Sequence, residues 1–390
     1  MWLKRTKYIL TGLGLLSFLI VSLFVAIAFI YEEEIKKQAV EELNAHLTSK
    51  VEVEEIELTA LEQFPNISLK FKNVFIKDVI SNNQNDTLIY SENLYLNFDF
   101  IDVLKGNYEV KNVFFDNTTI NIHVDESGTE NYLIWVSDST NNNSVNFSLE
   151  KVVFNALSFN YTNQLNNQYY KFHSADLALN GDFYRANYSL AIEGDVAVLN
   201  FTSNEITYLK NKQTNLDLNL QVDLKTMNYQ FNNSSLFIEG MPFQINGNYI
   251  LNEEPIINLN IIGNNIQIGQ VFRVFPIKML KAISTYNAKG KFEFEASIIG
   301  ELSNLKTPFI SANFAVNNGS IVELKSNTEL ASIFLVGSYS SKIKKEKERL
   351  VISNFNAFLG NEKCNGSFEI SNFNNPNIKG ALSSNFPLQQ

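Results

Sequence analysis

Apolar and polar residues alternate along most of this chain, and strict alternation is the pattern of a β-strand with one apolar and one polar face. The clearest run interleaves five apolar positions with Asp217, Asn219, Gln221 and Asp223: Leu216, Leu218, Leu220, Val222 and Leu224. Similar runs hold Leu94, Leu96, Phe98 and Phe100; Ile120, Ile122 and Val124; Phe243 and Ile245; Ile257, Leu259 and Ile261; Phe292, Phe294, Ala296 and Ile298; and Ile310, Ala312, Phe314 and Val316. Turn-forming Asn, Asp and Gly clusters such as residues 82–86 and 317–319 separate them. We therefore expect a mainly antiparallel β body from residue 51 onward.

Two segments instead follow a helical period. In residues 32–48, Ile35, Ala39, Leu43 and Leu47 share one face, which predicts a short amphipathic helix. In residues 269–286, Pro276 suits a first helical turn, and three apolar residues share a face: Ile277, Leu280 and Ile283.

Residues 8–31 form an uncharged, apolar run. As a helix it reaches ~36 Å, enough to cross a ~30 Å hydrocarbon core, so we expect a transmembrane helix. Lys4, Arg5 and Lys7 precede the run and Glu32 follows it, which places residues 1–7 in the cytoplasm and the body outside. A cleaved signal peptide is the competing interpretation, because residues 26–28 read Ala-Ile-Ala.

A weak repeat occupies the second half, as a strand containing Gly, a polar loop ending in Pro, and another strand. Its three copies are residues 247–255, 290–308 and 366–376. Repeated hairpins of this kind build extended sheets. Any all-β chain, however, shows turn residues at such intervals, and the sequence leaves both interpretations open.

Charge and cysteine content exclude two classes of protein. Beyond the run, the chain carries 28 basic and 41 acidic residues, so nucleic acid is not an expected partner. Cys364 is the single cysteine, which excludes a scaffold held by internal disulfides. Residues 342–349 hold five basic and two acidic side chains, either a solvated hairpin tip or a contact for anionic headgroups.

Motifs of catalysis and cofactor binding are missing from the sequence. His46, His123 and His173 are far apart and have no partner at metal-ligand spacing. The only G-x-G, at Gly12 and Gly14, lies inside the apolar run, and Asp125 with Glu126 fits a turn around Gly128. We expect no enzyme, no cofactor and no metal site.

An apolar strand face must be covered by another sheet, a helix or a ligand. In a β-sandwich two such faces interdigitate, whereas an open, curved sheet would present them as an apolar groove. Periodicity alone does not separate the packed core from the groove.

One block of the chain resembles a known family. Residues 101–133 combine an L-x-G turn (Leu104 to Gly106), a strand from Val113 to Ile122, and a D-x-x-G-x-x-N-aromatic loop (Asp125 to Tyr132). Residues 43–53 and 64–69 add similar strand beginnings. This combination resembles the AsmA family of envelope proteins, and residues 275–290 with the repeat resemble its C-terminal regions.

The resemblance implies a bacterial inner-membrane protein with a periplasmic body, a taco-like groove of antiparallel strands, and a role in phospholipid transport and outer-membrane homeostasis. Residues 49–140 would form the AsmA-like module, 141–268 a central sheet, and 269–390 a helix with the repeat. Expected partners are phospholipids or other acyl lipids, the bilayer, and other envelope proteins. Groove candidates are Leu94, Leu96, Phe98, Phe100, Leu216, Leu218, Leu220, Val222, Leu224, Phe292 and Phe294. The alternative is a non-catalytic assembly or scaffolding factor that binds proteins through its β edges.

Overall fold

The structure is a computed structural model of the chain. It describes residues 51–59, 66–78, 80, 87–105, 109–132, 146–203, 206–252, 254–271, 284–302, 306–341, 347–373 and 375–384.

The described residues are dominated by strands, as the alternation predicts. Two short helices are present: α1 (Phe100–Leu104) and α2 (Ile268–Val271). The strands are β1 (Val51–Glu52), β2 (Glu55–Thr59), β3 (Ile67–Lys77), β4 (Thr87–Phe98), β5 (Glu109–Val124), β6 (Asn146–Asn163), β7 (Gln168–Gly181), β8 (Asn187–Ser203), β9 (Ile206–Leu209), β10 (Lys212–Asp223), β11 (Asn228–Ile238), β12 (Met241–Ile250), β13 (Ile256–Gln267), β14 (Tyr286–Glu301), β15 (Phe309–Glu323), β16 (Thr328–Ser340), β17 (Arg349–Leu359), β18 (Glu362–Ser371) and β19 (Asn377–Ser384).

The chain divides into two compact units. The first contains the described residues up to Leu165 together with Ser174–Tyr184, and the second contains Asn166–His173 and the described residues from Arg185 onward. The division therefore falls between residues 165 and 185.

In the first unit, β1 and β2 both pair with β3, and β3, β4 and β5 follow as antiparallel neighbours. One face of these strands forms a packed core with Val103 of α1. Helix α1 begins where it does because the Asp99 side chain caps it, accepting hydrogen bonds from the backbone N–H groups of Ile101 (2.8 Å) and Asp102 (3.2 Å).

A parallel pair, β5 with β6, corrects the expectation of an antiparallel sheet. The physical reason is the connection from Val124 to Asn146. It is long enough to return the chain to the starting end of β5, and parallel strands require a connection of this kind.

In the second unit, β8 pairs with β9 and with β10, and β10 to β19 are antiparallel neighbours in sequence order. Each strand returns beside its predecessor. Bulges interrupt the register next to Asn233, Asn265 and Asn318, which all have positive φ. Asparagine tolerates this left-handed conformation, so these polar residues allow the extra position that a bulge needs.

The repeat copies are β-hairpins. Residues 247–255 link β12 to β13, residues 290–308 link β14 to β15, and residues 366–376 link β18 to β19. In the first and third copies, a glycine lies very close to the backbone of the neighbouring strand. A Cβ added to Gly247 would be 2.1 Å from the Asn258 carbonyl oxygen, and one added to Gly366 would be 2.4 Å from the Ala381 carbonyl oxygen. The hairpin geometry therefore requires glycine at both positions.

The predicted helices lie mostly outside the described residues. Residues 8–31 and 32–48 are not among them; of residues 269–286 the structure describes 269–271, which belong to α2, and 284–286. Within the described part of the chain, no helix has the length and apolarity to cross a membrane.

Candidate functional site

The register of the second unit gathers the alternating apolar residues onto one side of the sheet. In β10, Leu218 lies opposite Ile192 of β8, and Leu220 lies opposite Leu190 on one side and Phe231 of β11 on the other. Directly opposed residues of antiparallel strands share a face. We call this side of β8 and β10–β19 the apolar face.

The apolar face continues without interruption through the later strands. Leu259 of β13 lies between Gly247 and Ile298, and Ile298 lies beside Ile310. Farther on, four residues lie opposite one another on the successive strands β15 to β18: Phe314, Gly337, Ile352 and Phe368. Ile370 of β18 in turn lies opposite Ile378 of β19. Among these strands, charged side chains occur on this face only near strand ends: Lys212, Glu323 and Glu362.

The opposite side is mostly polar. Asn260 Nδ2 donates a hydrogen bond of 3.0 Å to Glu295 Oε1, and Asn215 Nδ2 donates one of 2.9 Å to Asp195 Oδ1. Such exposed amide and carboxylate pairs across neighbouring strands are compatible with water. This side also carries some exposed apolar side chains, among them Phe237, Ile256 and Ile299.

Burial distinguishes this face from a sandwich core. Many of its large side chains are only half-buried, including Leu259, Phe294 and Ile298. At the last strands they are exposed, with 36% of Phe368, 67% of Ile378 and 72% of Leu382 accessible. The interior of a sandwich buries such residues almost completely. The apolar face is thus incompletely covered.

Glycines make part of this face flat. A Cβ added to Gly263 would be 2.4 Å from Phe294 Cε1, and one added to Gly337 would be 2.6 Å from Phe314 Cζ. The two rings therefore lie directly over glycine backbone on neighbouring strands. Phe294 and Phe314 lie directly opposite each other, and the ring centroid of Phe292 is 5.7 Å from that of Phe294 and 6.2 Å from that of Phe314. This aromatic cluster is a smooth apolar surface rather than a row of protruding side chains.

The two ends of the strands, which we call the two edges of this sheet, differ in packing. At the edge that contains α2, side chains of the apolar face are buried and form a small core of Val316, Ile333 and Ala357, against which Ile268 of α2 packs. At the opposite edge three tyrosines lie near one another: Tyr188, Tyr229 and Tyr249. The rings of Tyr229 and Tyr249 are 6.5 Å apart, and burial, with Tyr229 nearby, raises the pKa of Tyr188. The apolar face is therefore closed by packing at the α2 edge and bordered by tyrosines at the other.

The predicted groove residues do not all belong to this face. Leu94, Leu96 and Phe98 lie in the core of the first unit, with exposures of 8%, 2% and 0%. The strand that we expected through Phe100 ends at Phe98, and Phe100 begins α1 because Asp99 caps that helix.

The remaining candidates lie on or next to the apolar face. Leu216, Leu218, Phe292 and Phe294 are half-buried there, whereas Leu220 and Val222 are buried among their neighbours. Leu224 follows the end of β10 and is 42% exposed. The alternation predicts the strands of Leu259, Ile298 and Phe314, but these residues were not among the predicted groove residues. Their alternation was the available signal, but only the register shows that they join one surface.

The loop that resembles the AsmA family is a tight structural turn. Asp125 Oδ1 accepts hydrogen bonds from the backbone N–H groups of Ser127 (2.8 Å) and Thr129 (2.9 Å) and from Ser127 Oγ (2.6 Å). These bonds, chiefly that from Ser127, hold the pKa of Asp125 below its usual value. The loop chemistry therefore stabilises the turn, as the sequence predicts for Asp125 and Glu126.

Asn131 ends this loop as a fully buried polar residue. Its Nδ2 donates to Asp78 Oδ2 (2.8 Å) and to the Asn121 carbonyl (3.0 Å), and its Oδ1 accepts from the His123 backbone N–H (2.8 Å). A buried amide with its hydrogen bonds made fixes the loop against β5.

The described ranges hold no cluster of three or more His, Cys, Asp or Glu side chains placed to bind an ion. The candidate site is therefore the apolar face, which is wide, only partly covered and charged only near strand ends, and which can bind apolar chains. Comparisons of this chain with protein-family models, curated proteins and solved structures find no match.

Proposed function

We propose that this protein is a membrane-anchored, non-catalytic lipid-handling protein of the bacterial envelope. Residues 8–31 would cross the inner membrane once, with the N-terminus cytoplasmic and the body periplasmic. The apolar face of the second unit would form a groove that shelters the acyl chains of phospholipids. The resemblance of residues 101–133 to the AsmA family supports the same assignment.

The observation that carries the proposal is the half-buried apolar face that crosses β8 and β10–β19 and is charged only near strand ends. Each methylene removed from water contributes ~0.8 kcal/mol of favourable transfer free energy, so binding of an acyl chain to the apolar face is favourable for the surfaces of both. A packed core would offer no such gain, because its side chains are already covered. The flat aromatic cluster around Phe292 is shaped for extended chains.

The dimensions of the face suit lipids. Eleven neighbouring strands at ~4.8 Å extend it by ~50 Å. The hydrocarbon core of a bilayer is ~30 Å thick and holds two leaflets, so one acyl chain occupies ~15 Å. The face is therefore wide enough for several acyl chains.

The test compares two arginine substitutions on one strand. Leu259→Arg places a charge on the apolar face, and Asn258→Arg places the same charge on the exposed, polar side one residue away. The full-length proteins are purified in mild detergent, checked for folding by circular dichroism, and analysed by lipid mass spectrometry. We expect phospholipid to co-purify with the parent and with Asn258→Arg, and to fall at least fivefold in Leu259→Arg. A parent without bound lipid, or equal lipid in both variants, would contradict the proposal.

A second candidate function, assembly by strand addition, is favoured by β19. Within the described residues β19 pairs only with β18, and nearly all of its residues are exposed. An exposed strand edge of this kind accepts a strand from another chain. A photocrosslinking residue at Lys379 tests it: capture of one protein in cells, together with the absence of lipid from the purified parent, would favour assembly over lipid handling.

A further inference from the structure

Two alanines lie directly opposite each other within the apolar face. Ala296 of β14 pairs with Ala312 of β15, and both side chains belong to the apolar series of their strands. Each lacks the isopropyl group that a leucine would place at the same position. Both alanines are partly accessible to solvent. We call the space above this pair the alanine recess.

Bulky side chains surround the alanine recess on the same face: Phe294, Phe314, Ile298, Ile310, Ile261 and Tyr339. The two phenylalanines form the next pair toward one end of the strands, and Ile298 with Ile310 forms the next pair toward the other end. Ile261 of β13 lies opposite Ala296, and Tyr339 of β16 lies opposite Ala312. Residues two apart on a strand, and directly opposed residues of antiparallel strands, share a face. The recess is therefore a local depression with walls on all sides.

The two aromatic rings beside the recess lean away from each other. Phe294 lies over Gly263 of β13, and Phe314 lies over Gly337 of β16, as the short distances from an added Cβ to each ring show. Both glycines are buried. The outer strands thus receive the rings, and the alanines between β14 and β15 stay accessible.

Another pair of small residues on the same face supplies a contrast. Ala357 of β17 lies opposite Cys364 of β18. Their exposures are 0% and 6%, and Ala357 belongs to the small core against which Ile268 of α2 packs. There, neighbouring side chains fill the space that small residues leave. At the alanine recess this space is open to solvent.

A walled depression favours a bound chain that is thicker at one point. A straight acyl chain on the apolar face passes over the recess and makes few contacts with the alanines, because dispersion attraction requires close approach. A methyl branch adds bulk at a single carbon. Placed in the recess, it removes its own surface and that of the alanines from water. A cis double bond bends a chain without adding bulk at one carbon, so it fits a local depression less well.

We propose that the alanine recess receives the methyl branch of a bound acyl chain, so that the protein prefers lipids with methyl-branched chains. This inference rests on the proposed function, since it requires acyl chains to lie on the apolar face. Ala296 and Ala312 are then specificity-determining residues, and the small size of their side chains sets the preference.

The test offers three lipids to the full-length protein in mild detergent. The mixed micelles contain equal amounts of phosphatidylglycerols with stearoyl chains, oleoyl chains, or stearoyl chains with a methyl branch at mid-chain. The protein is isolated again, and its bound lipids are quantified by mass spectrometry. We expect the branched lipid to be enriched at least threefold over each of the other two.

Two leucine substitutions on one strand locate the preference. Ala312→Leu places a leucine in the recess, and Asn313→Leu places the same side chain on the exposed, polar side one residue away. Circular dichroism checks the folding of each variant. We expect Ala312→Leu to bind a similar total amount of lipid without enrichment of the branched lipid, whereas Asn313→Leu keeps the enrichment. Ala296→Leu fills the recess from the neighbouring strand and should give the same result, which covers the case that Ala312→Leu does not fold.

The outcomes separate this inference from the proposed function. Equal binding of the three lipids by the parent would overturn the inference and leave the proposed function standing. Preference for the oleoyl lipid, or enrichment of the branched lipid that persists in the recess variants, would overturn it as well. A parent that binds no lipid would contradict the proposed function, and the inference with it.

Discussion

The two units of this protein use the same alternation of apolar and polar residues for opposite results. In the first unit, Leu96 and Phe98 are 2% and 0% exposed, and they pack with Val103 of α1. In the second unit, Leu259 and Phe294 occupy equivalent positions on their strands and remain half-buried. The difference lies in what covers the face. Alternation creates an apolar side, but only a covering element turns that side into a core.

Truncation of one phenylalanine in each unit is the strongest test of this comparison. Phe98→Ala should destabilise the first unit by ~3–5 kcal/mol, because it leaves a cavity in a packed core. Phe294→Ala should cost the second unit ~1 kcal/mol, because its half-buried ring already faces an incompletely covered surface. Urea unfolding followed by hydrogen-exchange mass spectrometry reports each unit separately. Similar losses at both positions would show that the apolar face is a closed core.

Removal of the buried amide of Asn131 tests the polar part of the first unit. Asn131→Ala should destabilise this unit by ~1–3 kcal/mol, because Asp78 and the His123 backbone N–H lose buried hydrogen bonds. Asn155→Ala is the matched control, since its amide donates to Asp116 Oδ1 at an exposed site. We expect a change within ~0.5 kcal/mol there. The same unfolding measurement applies, and equal effects would argue against a structural role for Asn131.

A methyl group at Gly337 tests the flat part of the apolar face. Gly337→Ala places a Cβ 2.6 Å from Phe314 Cζ and 2.8 Å from Ile352 Cδ1, so the ring must move. We expect a loss of ~1–3 kcal/mol in the second unit, typical of overpacking. Ser338→Ala, one residue away on the polar side, should change stability by less than ~0.5 kcal/mol. A tolerated Gly337→Ala would mean that Phe314 does not lie over this glycine.

The smallest expected effect is a pH dependence in the first unit. Since the folded pKa of Asp125 is lower than its ordinary value of 3.8, the unfolded chain binds the proton first as pH falls. The contribution of this carboxylate is therefore present above pH 3.8 and is lost as pH falls through the folded pKa. Amide protection at Ser127 and Thr129 should weaken as pH falls below 3.8. In Asp125→Asn this pH dependence should disappear; its persistence would assign the effect to another group.

Much of the fold could be predicted from local pattern. The strands around Leu218, Leu259 and Phe294 and the turn at Asp125 appear where the sequence places them. Each depends on neighbours a few residues apart, through the period of two and the conformational preferences of Gly and Asn. The alternation predicts a strand through Phe100, whereas the strand ends at Phe98. The reason is that Asp99 caps a helix that begins at Phe100, and this capping competes with continuation of the strand.

The candidate site was predicted only in part, for a different reason. Leu94 and Leu259 have the same local pattern, so no window of sequence distinguishes the buried one from the half-buried one. The aromatic cluster of Phe292, Phe294 and Phe314 likewise requires knowledge of which strands lie side by side. These properties depend on register and on covering elements that are distant in sequence.

By itself, the sequence determined that the body is β and that each strand has an apolar and a polar side. Only the tertiary structure decided that β5 and β6 are parallel, that Leu96 is in a core while Leu259 is not, and that Phe294 and Phe314 lie opposite each other. The physical reason is range: strand formation follows from adjacent residues, whereas burial is decided by what the folded chain places against a face.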